Sequence, residues 1–470
     1  MKTILIATFS LLVAACASNP LPDLKRLYGN TPDPGSIQKQ SAQEDFQNPV
    51  ILLHGILGSR LRHADTREEI WPGGLTDLLF SNFKDMALPI HPDSLSPYPS
   101  GVEAYAITDR AAGRDYYAQI IRTLHEAGGF EPGTPGQYAN HHERRYYVFV
   151  YDWRQDNVQS ARKLDRLIEQ IRKDYGDPDL RVDLVAHSMG GLIARYYLRY
   201  GAVDVLDDND FPVNNHGASR VRRVVLVGTP NFGSVSALQE FLQGFRVGLR
   251  RIPTEVIATW PSAYQLLPHP INTWLVTVDG RELERDLFDA NIWRRFEWSI
   301  FDPAVESRIL EQFEDAKQGQ AYLERLQHYF GIHLERARRF VWSLSVAAEE
   351  MPISYVVFGG DCVLTPARII VEEIDGESAV RLYPREIVNR VPDIDYQTLM
   401  LEPGDGRVTK PSLLARQTLD PTIRRHRYSY FPLDYSVMFC DDHDRLTGNI
   451  NFQDNLLNIL LSRDKRVPGQ

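Results

Sequence analysis

The sequence predicts an α/β fold with a mostly parallel central sheet and helices on both of its faces. Three observations point there. Short, uninterrupted apolar runs recur, among them Val50-Ile51-Leu52-Leu53 and Tyr146-Tyr147-Val148-Phe149-Val150-Tyr151, as strands buried on both faces require. After them, Val158, Ala161, Leu164, Leu167, Ile168 and Ile171 repeat at helical spacing, with charges between and Gly176 past the end. The two patterns then alternate as strand, helix, strand, the order that crossover helices over a parallel sheet produce.

The remaining elements continue the alternation. Arg181 to Ala186 reads as a strand, Gly190 to Tyr200 as a helix stopped by Gly201, and Val224 to Val227 and Ile353 to Phe358 as further strands. Between Gly233 and Pro352 the pattern changes to long, charged, aromatic segments holding Trp260, Trp274, Trp293, Trp298 and Trp342. Residues 233–352 are therefore expected to form a helical cap inserted between a first core part at 49–232 and a second at 353–470. A smaller insertion is expected at about 60–108, with Trp71-Pro72-Gly73-Gly74 as an exposed turn.

Composition sets limits on function. The 470 residues are 43% hydrophobic and 24% charged, enough apolar content for a large core and too much for wholesale disorder. A net charge of −10 removes the basic footprint of a nucleic-acid binder. No apolar run reaches the roughly 18–20 residues that cross a bilayer as a helix.

The N-terminus carries a processing signal. Lys2 precedes an apolar stretch from Ile4 to Ala15 that is short for a membrane span and suits a secretory leader over 1–15. It ends in Val13-Ala14-Ala15-Cys16, which resembles a bacterial lipobox. Cys16 is then the lipidated first residue, with a flexible tether over 16–48, and Ala17 suggests an outer-membrane lipoprotein facing the periplasm. Cleavage after Ala17 would instead leave a soluble periplasmic protein. Cys362 and Cys440 are the other two cysteines, and in an exported chain they are a disulfide candidate.

The chemistry concentrates in Val185-Ala186-His187-Ser188-Met189-Gly190-Gly191, where an apolar strand meets a helix. A serine at such a junction sits on a sharp turn above the sheet edge, as in the Gly-x-Ser-x-Gly elbow of α/β-hydrolases. Ala186 replaces the first glycine, a departure of one methyl group. The hydroxyl needs a base, and the base an orienting acid; in this fold both follow the serine in the chain. Asp361 and Asp405 compete as the acid, and His426 and His443 as the base. His443 lies just before a terminal amphipathic segment built on Ile450, Leu456, Leu457 and Leu460, where the geometry wants the base.

Beyond these residues, the chain from about Pro49 onward resembles the lecithin:cholesterol acyltransferase family, which includes lysosomal-type phospholipases and phospholipid:diacylglycerol acyltransferases. His54-Gly55-Ile56-Leu57-Gly58-Ser59 looks like the family's oxyanion loop. Tyr151-Asp152-Trp153-Arg154, His187-Ser188-Met189-Gly190, Gly228-Thr229-Pro230-Asn231-Phe232-Gly233-Ser234 and Pro261 to Pro268 support the resemblance. It assigns the acid to Asp405, in the Gly404-Asp405-Gly406 turn, because Gly359 to Pro366 is similar to a segment that precedes the family's acid. The cysteine positions do not reproduce the family's disulfides.

The resulting expectation is a serine-dependent lipid acyl-ester hydrolase or O-acyltransferase. Ser188 attacks, His443 moves the proton, Asp405 holds His443, and the N–H groups of Ile56 and Met189 form the oxyanion hole. Trp71, His54 and Asp152 are candidate substrate contacts, the last alternatively a structural partner of Arg154. The expected partners are a lipid acyl ester and, through the anchor, a membrane surface; no metal, no other cofactor and no nucleic acid is called for. The competing expectation is a non-catalytic, lipid-binding or scaffolding envelope lipoprotein on the same fold.

Overall fold

The computed structural model describes residues 21–22 and 47–462, apart from 75–80, 99, 112–113, 349–352, 421, 425 and 428. Residues 1–15 and Cys16 lie outside the described residues, as does most of the expected tether. Among the described residues no helix is long and apolar enough to cross a membrane.

Seven strands form the central sheet: β1 (Val50–Leu53), β2 (Glu131–Pro132), β3 (Arg145–Phe149), β4 (Val182–His187), β5 (Val221–Val227), β6 (Tyr355–Gly360) and β7 (Leu433–Phe439). Their spatial order is β7-β6-β5-β4-β1-β3-β2, and every pairing is parallel. Register brings the carboxyl ends level: Leu53 pairs with Phe149 and Ala186, His187 with Val227, and Val227 with Phe358. Loops that leave those ends therefore gather along one edge, where ligands of open α/β sheets bind.

Side-chain alternation sends the apolar residues of β1 and β4 to both faces of the sheet. Ile51, Leu53, Leu184 and Ala186 enter the larger core, whereas Val50, Leu52 and Val185 enter a second core on the opposite face. On the first face lie α1 (Asn157–Tyr175) and α2 (Met189–Tyr200). α1 is started by the Asp156 carboxylate, which accepts from the Val158 N–H, and stopped by Gly176 at φ 64°. Every residue of α2 is buried. The second face is covered by residues 118–127 and by the terminal helix, whose Phe452, Leu456 and Leu460 pack beside Leu52 and Val225.

The inserted region holds helices, as expected of the cap, together with short strands. It opens with α3 (Val235–Gln243) and a hairpin, Phe245–Val247 with Arg250–Ile252. Its strand Leu275–Thr277 pairs with Ile369–Ile374, from beyond Pro352, so the insert shares a small sheet with the second core part. The long helix α4 (Ala316–Ser343) is fastened to α1 and α2. The Tyr200 hydroxyl donates to the Ser343 carbonyl (2.7 Å), Arg195 donates to that of Leu344 (2.7 Å), and Arg336 pairs with Asp156 (2.6 Å). Trp260, Trp274, Trp293 and Trp298 are buried, Trp260 against Trp153 of the first core part. Two of their indole N–H groups are spent on main-chain oxygens, Trp260 on Met86 and Trp293 on Leu287. The smaller insertion is a three-stranded sheet, Ser59–His63, Glu69–Trp71 and Val102–Ile107.

Candidate active site

Ser188 stands between β4 and α2 with φ 54° and ψ −126°, a strained conformation for a residue with a Cβ. Its N–H donates to the Val227 carbonyl (2.8 Å), which holds the turn against β5. The turn is possible because its neighbours are small. A Cβ on Gly190 would lie 2.6 Å from the His54 carbonyl oxygen, so the helix start and the loop after β1 touch through bare backbone. At Ala186 the extra methyl is accommodated without exposure.

The loops after β7 and around residue 405 deliver the other two groups. His443 Nε2 lies 3.0 Å from Ser188 Oγ, and its Nδ1 lies 2.8 Å from Asp405 Oδ2. The remaining oxygen, Asp405 Oδ1, accepts from the N–H groups of Arg407 (2.9 Å) and Val408 (2.7 Å). The His443 N–H donates to the Asp405 carbonyl (2.8 Å), so acid and base are tied by main chain as well as side chain. All three residues are buried.

Electrostatics follow from this packing. Burial alone disfavours the His443 imidazolium, but the charge and hydrogen bond of Asp405, with Asp444 nearby, outweigh it and raise the pKa above 6.5. Burial also opposes the Asp405 carboxylate, yet His443 and the two N–H donors hold its pKa below 3.8. Such a pair has one histidine nitrogen committed to the carboxylate and the other aimed at the hydroxyl, the arrangement that lets imidazole accept a serine proton.

The competing candidates are placed elsewhere. Asp361, at the end of β6, pairs with Lys410 (2.8 Å). His426 is not the imidazole that meets Ser188.

A cavity of about 120 Å³ opens beside Ser188. Gly55, Ile56 and Leu57 line it together with α3 residues Ser236, Ala237 and Glu240, and Phe245, Arg407, Asp444, Tyr116 and Tyr117 are among its other walls. Ile56 occupies the turn that closes with Gly58 N–H on the Gly55 carbonyl. Met189 is the first residue of α2, where helical main chain leaves its N–H without an intrahelical acceptor. Glu240 and Arg407 form an ion pair on the wall, with the guanidinium 5.0 Å from the Phe245 ring centre.

The expected substrate contacts are corrected by burial. Trp71 is no exposed turn residue: it is 3% exposed and its Nε1–H donates to the Leu57 carbonyl (2.9 Å), bracing the loop after β1 from behind. His54 is fully buried, stacked on Tyr151 at 4.1 Å, and burial lowers its pKa to about 4. Asp152 holds Arg154 through two hydrogen bonds (2.9 and 2.8 Å), the structural pairing. Among the described residues these three support the cavity wall rather than face the cavity. The insert's tryptophans do not line it either; α3 and the Phe245 strand are the parts of the insert that do. Cys362 and Cys440 are bonded, the pairing the sequence offered as a disulfide candidate.

Residues 136–302 match the lecithin:cholesterol acyltransferase family model. That segment contains Ser188 and the first part of the insert, so the resemblance read from the motifs stands. No curated protein matches the chain by sequence. Among solved structures, the Tle4–Tli4 complex is similar at a TM-score of 0.55 and 16% identity, over 89% of this chain and 98% of the other. This likeness establishes the α/β-hydrolase fold. The Staphylococcus hyicus lipase matches at 0.35 and 13%, over 88% and 95% of the two chains. The mature Bacillus licheniformis lipase matches at 0.33 and 11%, over 92% and 95%.

Proposed function

We propose that the protein is a serine-dependent lipid acyl-ester hydrolase or O-acyltransferase. The observation that carries this reading is the continuous hydrogen-bond line from Ser188 Oγ through His443 to Asp405, set beside a cavity at the carboxyl edge of the sheet. Ser188 attacks the ester carbonyl while His443 Nε2 takes its proton. The oxyanion forms against the N–H groups of Ile56 and Met189, each donor of this kind contributing roughly 3 kcal/mol. His443 then returns the proton to the departing alcohol, leaving an acyl group on Ser188. Water or a second alcohol, deprotonated by His443, releases that acyl group. The family match over residues 136–302 supports a lipid ester as substrate.

The test is covalent capture. A fluorophosphonate probe labels the folded wild-type protein and fails to label Ser188→Ala; an unlabelled wild type overturns the reading in favour of a non-catalytic lipid-binding lipoprotein. Product analysis with a phospholipid donor, with and without added alcohols, then separates hydrolysis from transfer.

Location is proposed from the leader alone. Val13-Ala14-Ala15-Cys16 supports export, acylation of Cys16 and tethering to the periplasmic face of an outer membrane. Radiolabelled palmitate incorporated by the wild type and not by Cys16→Ser supports the anchor; equal absence from both supports a soluble periplasmic protein.

A further inference from the structure

Tyr117 and His187 lie next to the catalytic groups without belonging to the proton line. The Tyr117 hydroxyl oxygen is 2.8 Å from the Gly55 N and 2.8 Å from His187 Nδ1. On its far side, His187 Nε2 is 3.3 Å from the His443 carbonyl oxygen. Both residues are buried, at 2% and 7% exposure.

Each proton in this chain is fixed by elimination. A carbonyl oxygen only accepts, so His187 Nε2 carries a hydrogen. Burial, with His443 adjacent, lowers the His187 pKa to about 3, so the ring is neutral and Nδ1 is an acceptor. The Tyr117 hydroxyl therefore donates its one hydrogen to Nδ1, and its lone pair receives the Gly55 N–H. The polarity runs one way, from the loop after β1, through Tyr117 and His187, to the backbone of the base.

We infer that Tyr117 and His187 are positioning residues that set the oxyanion loop and the catalytic histidine relative to each other. The inference rests on the serine-hydrolase reading above. Gly55 immediately precedes Ile56, the proposed oxyanion donor, and His187 immediately precedes Ser188. The bridge thus joins the three segments whose mutual placement decides whether donor, nucleophile and base meet one carbonyl carbon. A neutral bridge does this without placing a second positive charge beside the His443 imidazolium. Misplacement of such groups by about an ångström can cost roughly a hundredfold in rate.

Tyr117→Phe leaves the ring packing and removes the hydroxyl, stranding the Gly55 N–H and His187 Nδ1. His187→Leu removes both links, whereas His187→Gln offers an oxygen acceptor and an N–H donor at similar separation. The expected result is a fall in kcat of roughly 10- to 100-fold for Tyr117→Phe and His187→Leu, with KM little changed and the thermal midpoint of Tyr117→Phe near that of wild type. His187→Gln recovers most of what His187→Leu loses, and the acid limb of its pH profile stays where wild type has it, because a neutral ring contributes no charge. Wild-type kcat in folded Tyr117→Phe, or an acid limb displaced in His187→Gln, overturns the inference. If His187→Leu fails to fold, Tyr117→Phe decides alone. Absence of fluorophosphonate labelling in the wild type is a different outcome: it removes the parent reading, and with it any positioning role.

Discussion

Gly55 and Ser188 approach so closely that a methyl group on the glycine would lie 2.7 Å from the serine Cβ and 3.2 Å from its Oγ. The first distance is shorter than side-chain carbons tolerate, and the obstacle is the proposed nucleophile itself. Gly55→Ala must therefore push the loop after β1 away from the elbow and carry the Ile56 N–H with it. Loss of one oxyanion donor typically costs 100- to 1000-fold in kcat, so a displaced donor is expected to cost about 100-fold. Steady-state kinetics on a soluble ester checks this; a variant within threefold of wild type shows that the loop plays no part in the chemistry.

The choice of acid is settled by comparing two conservative substitutions. Asp405→Asn keeps the shape but withdraws the charge that holds His443 in its tautomer, and a loss of kcat of about 10⁴ is expected by analogy with other triads. Asp361→Asn breaks only the pairing with Lys410, and half-exposed pairs contribute roughly 0–1 kcal/mol. Activity in Asp361→Asn should therefore stay close to that of wild type. Assays of the two variants with a common substrate give the ranking, and the reverse order defeats the assignment of Asp405.

Much of the fold and of the candidate site is legible in the sequence, for reasons visible in particular residues. Strands buried on both faces cannot alternate, so Val50–Leu53 reads as an uninterrupted apolar run, and within Val182–His187 only Asp183 and His187 break the pattern. Ser188 was marked by the strand-to-helix junction, and Asp405 and His443 by chain order together with motif resemblance. The edge strand Leu433–Phe439 escaped notice because it is largely half-exposed and carries Asp434. Tyr117 was invisible for another reason: its role depends on meeting His187, and no local spacing encodes a contact across 70 positions. Trp71 misled because Pro-Gly-Gly signals a turn but says nothing about which way the preceding indole faces. The insert's tryptophans misled similarly, since aromatic density marks a core as readily as a lipid surface.

Acid should act on rate and on stability through different histidines. His443 works as a base only when neutral, and Asp405 raises its pKa above 6.5, so kcat/KM should fall on the acid side with an apparent pKa above that value. Asp405→Asn removes the main raising influence and should move the residual acid limb downward. Stability follows the buried neutral rings instead. His54 is lowered to about 4, and His187 and His269 to about 3, by burial. Each binds a proton in the unfolded chain below about 6.5 but not in the folded one until pH 3–4, so unfolding takes up protons and the folded state weakens as pH falls through that window. Urea midpoints measured from pH 7 to pH 4 should therefore decrease steadily; a flat series contradicts the burial of these rings.

The Cys362–Cys440 bond joins the chain just past β6 to the end of β7, beside the Asp405 turn and shortly before His443. Cys362 follows β6 and Cys440 follows β7, three positions before His443. Directly beyond Cys362, Val363 pairs with Gly404, the neighbour of Asp405. Between them Gly360 is enclosed so tightly that a Cβ there would lie 2.7 Å from both Asp405 Cβ and the Asp441 carbonyl oxygen. The bond therefore restrains the Asp405 and His443 loops against each other at a point where packing has no slack. With a sequence separation of 78 between the cysteines, the chain-entropy model gives roughly 4–5 kcal/mol of stabilisation. Cys362→Ser with Cys440→Ser should lower the melting temperature and also reduce kcat, because the histidine loses part of its placement. Fluorophosphonate labelling at a temperature where the variant is fully folded separates the two effects. Slower labelling there locates the contribution in the site itself, whereas wild-type labelling confines it to global stability.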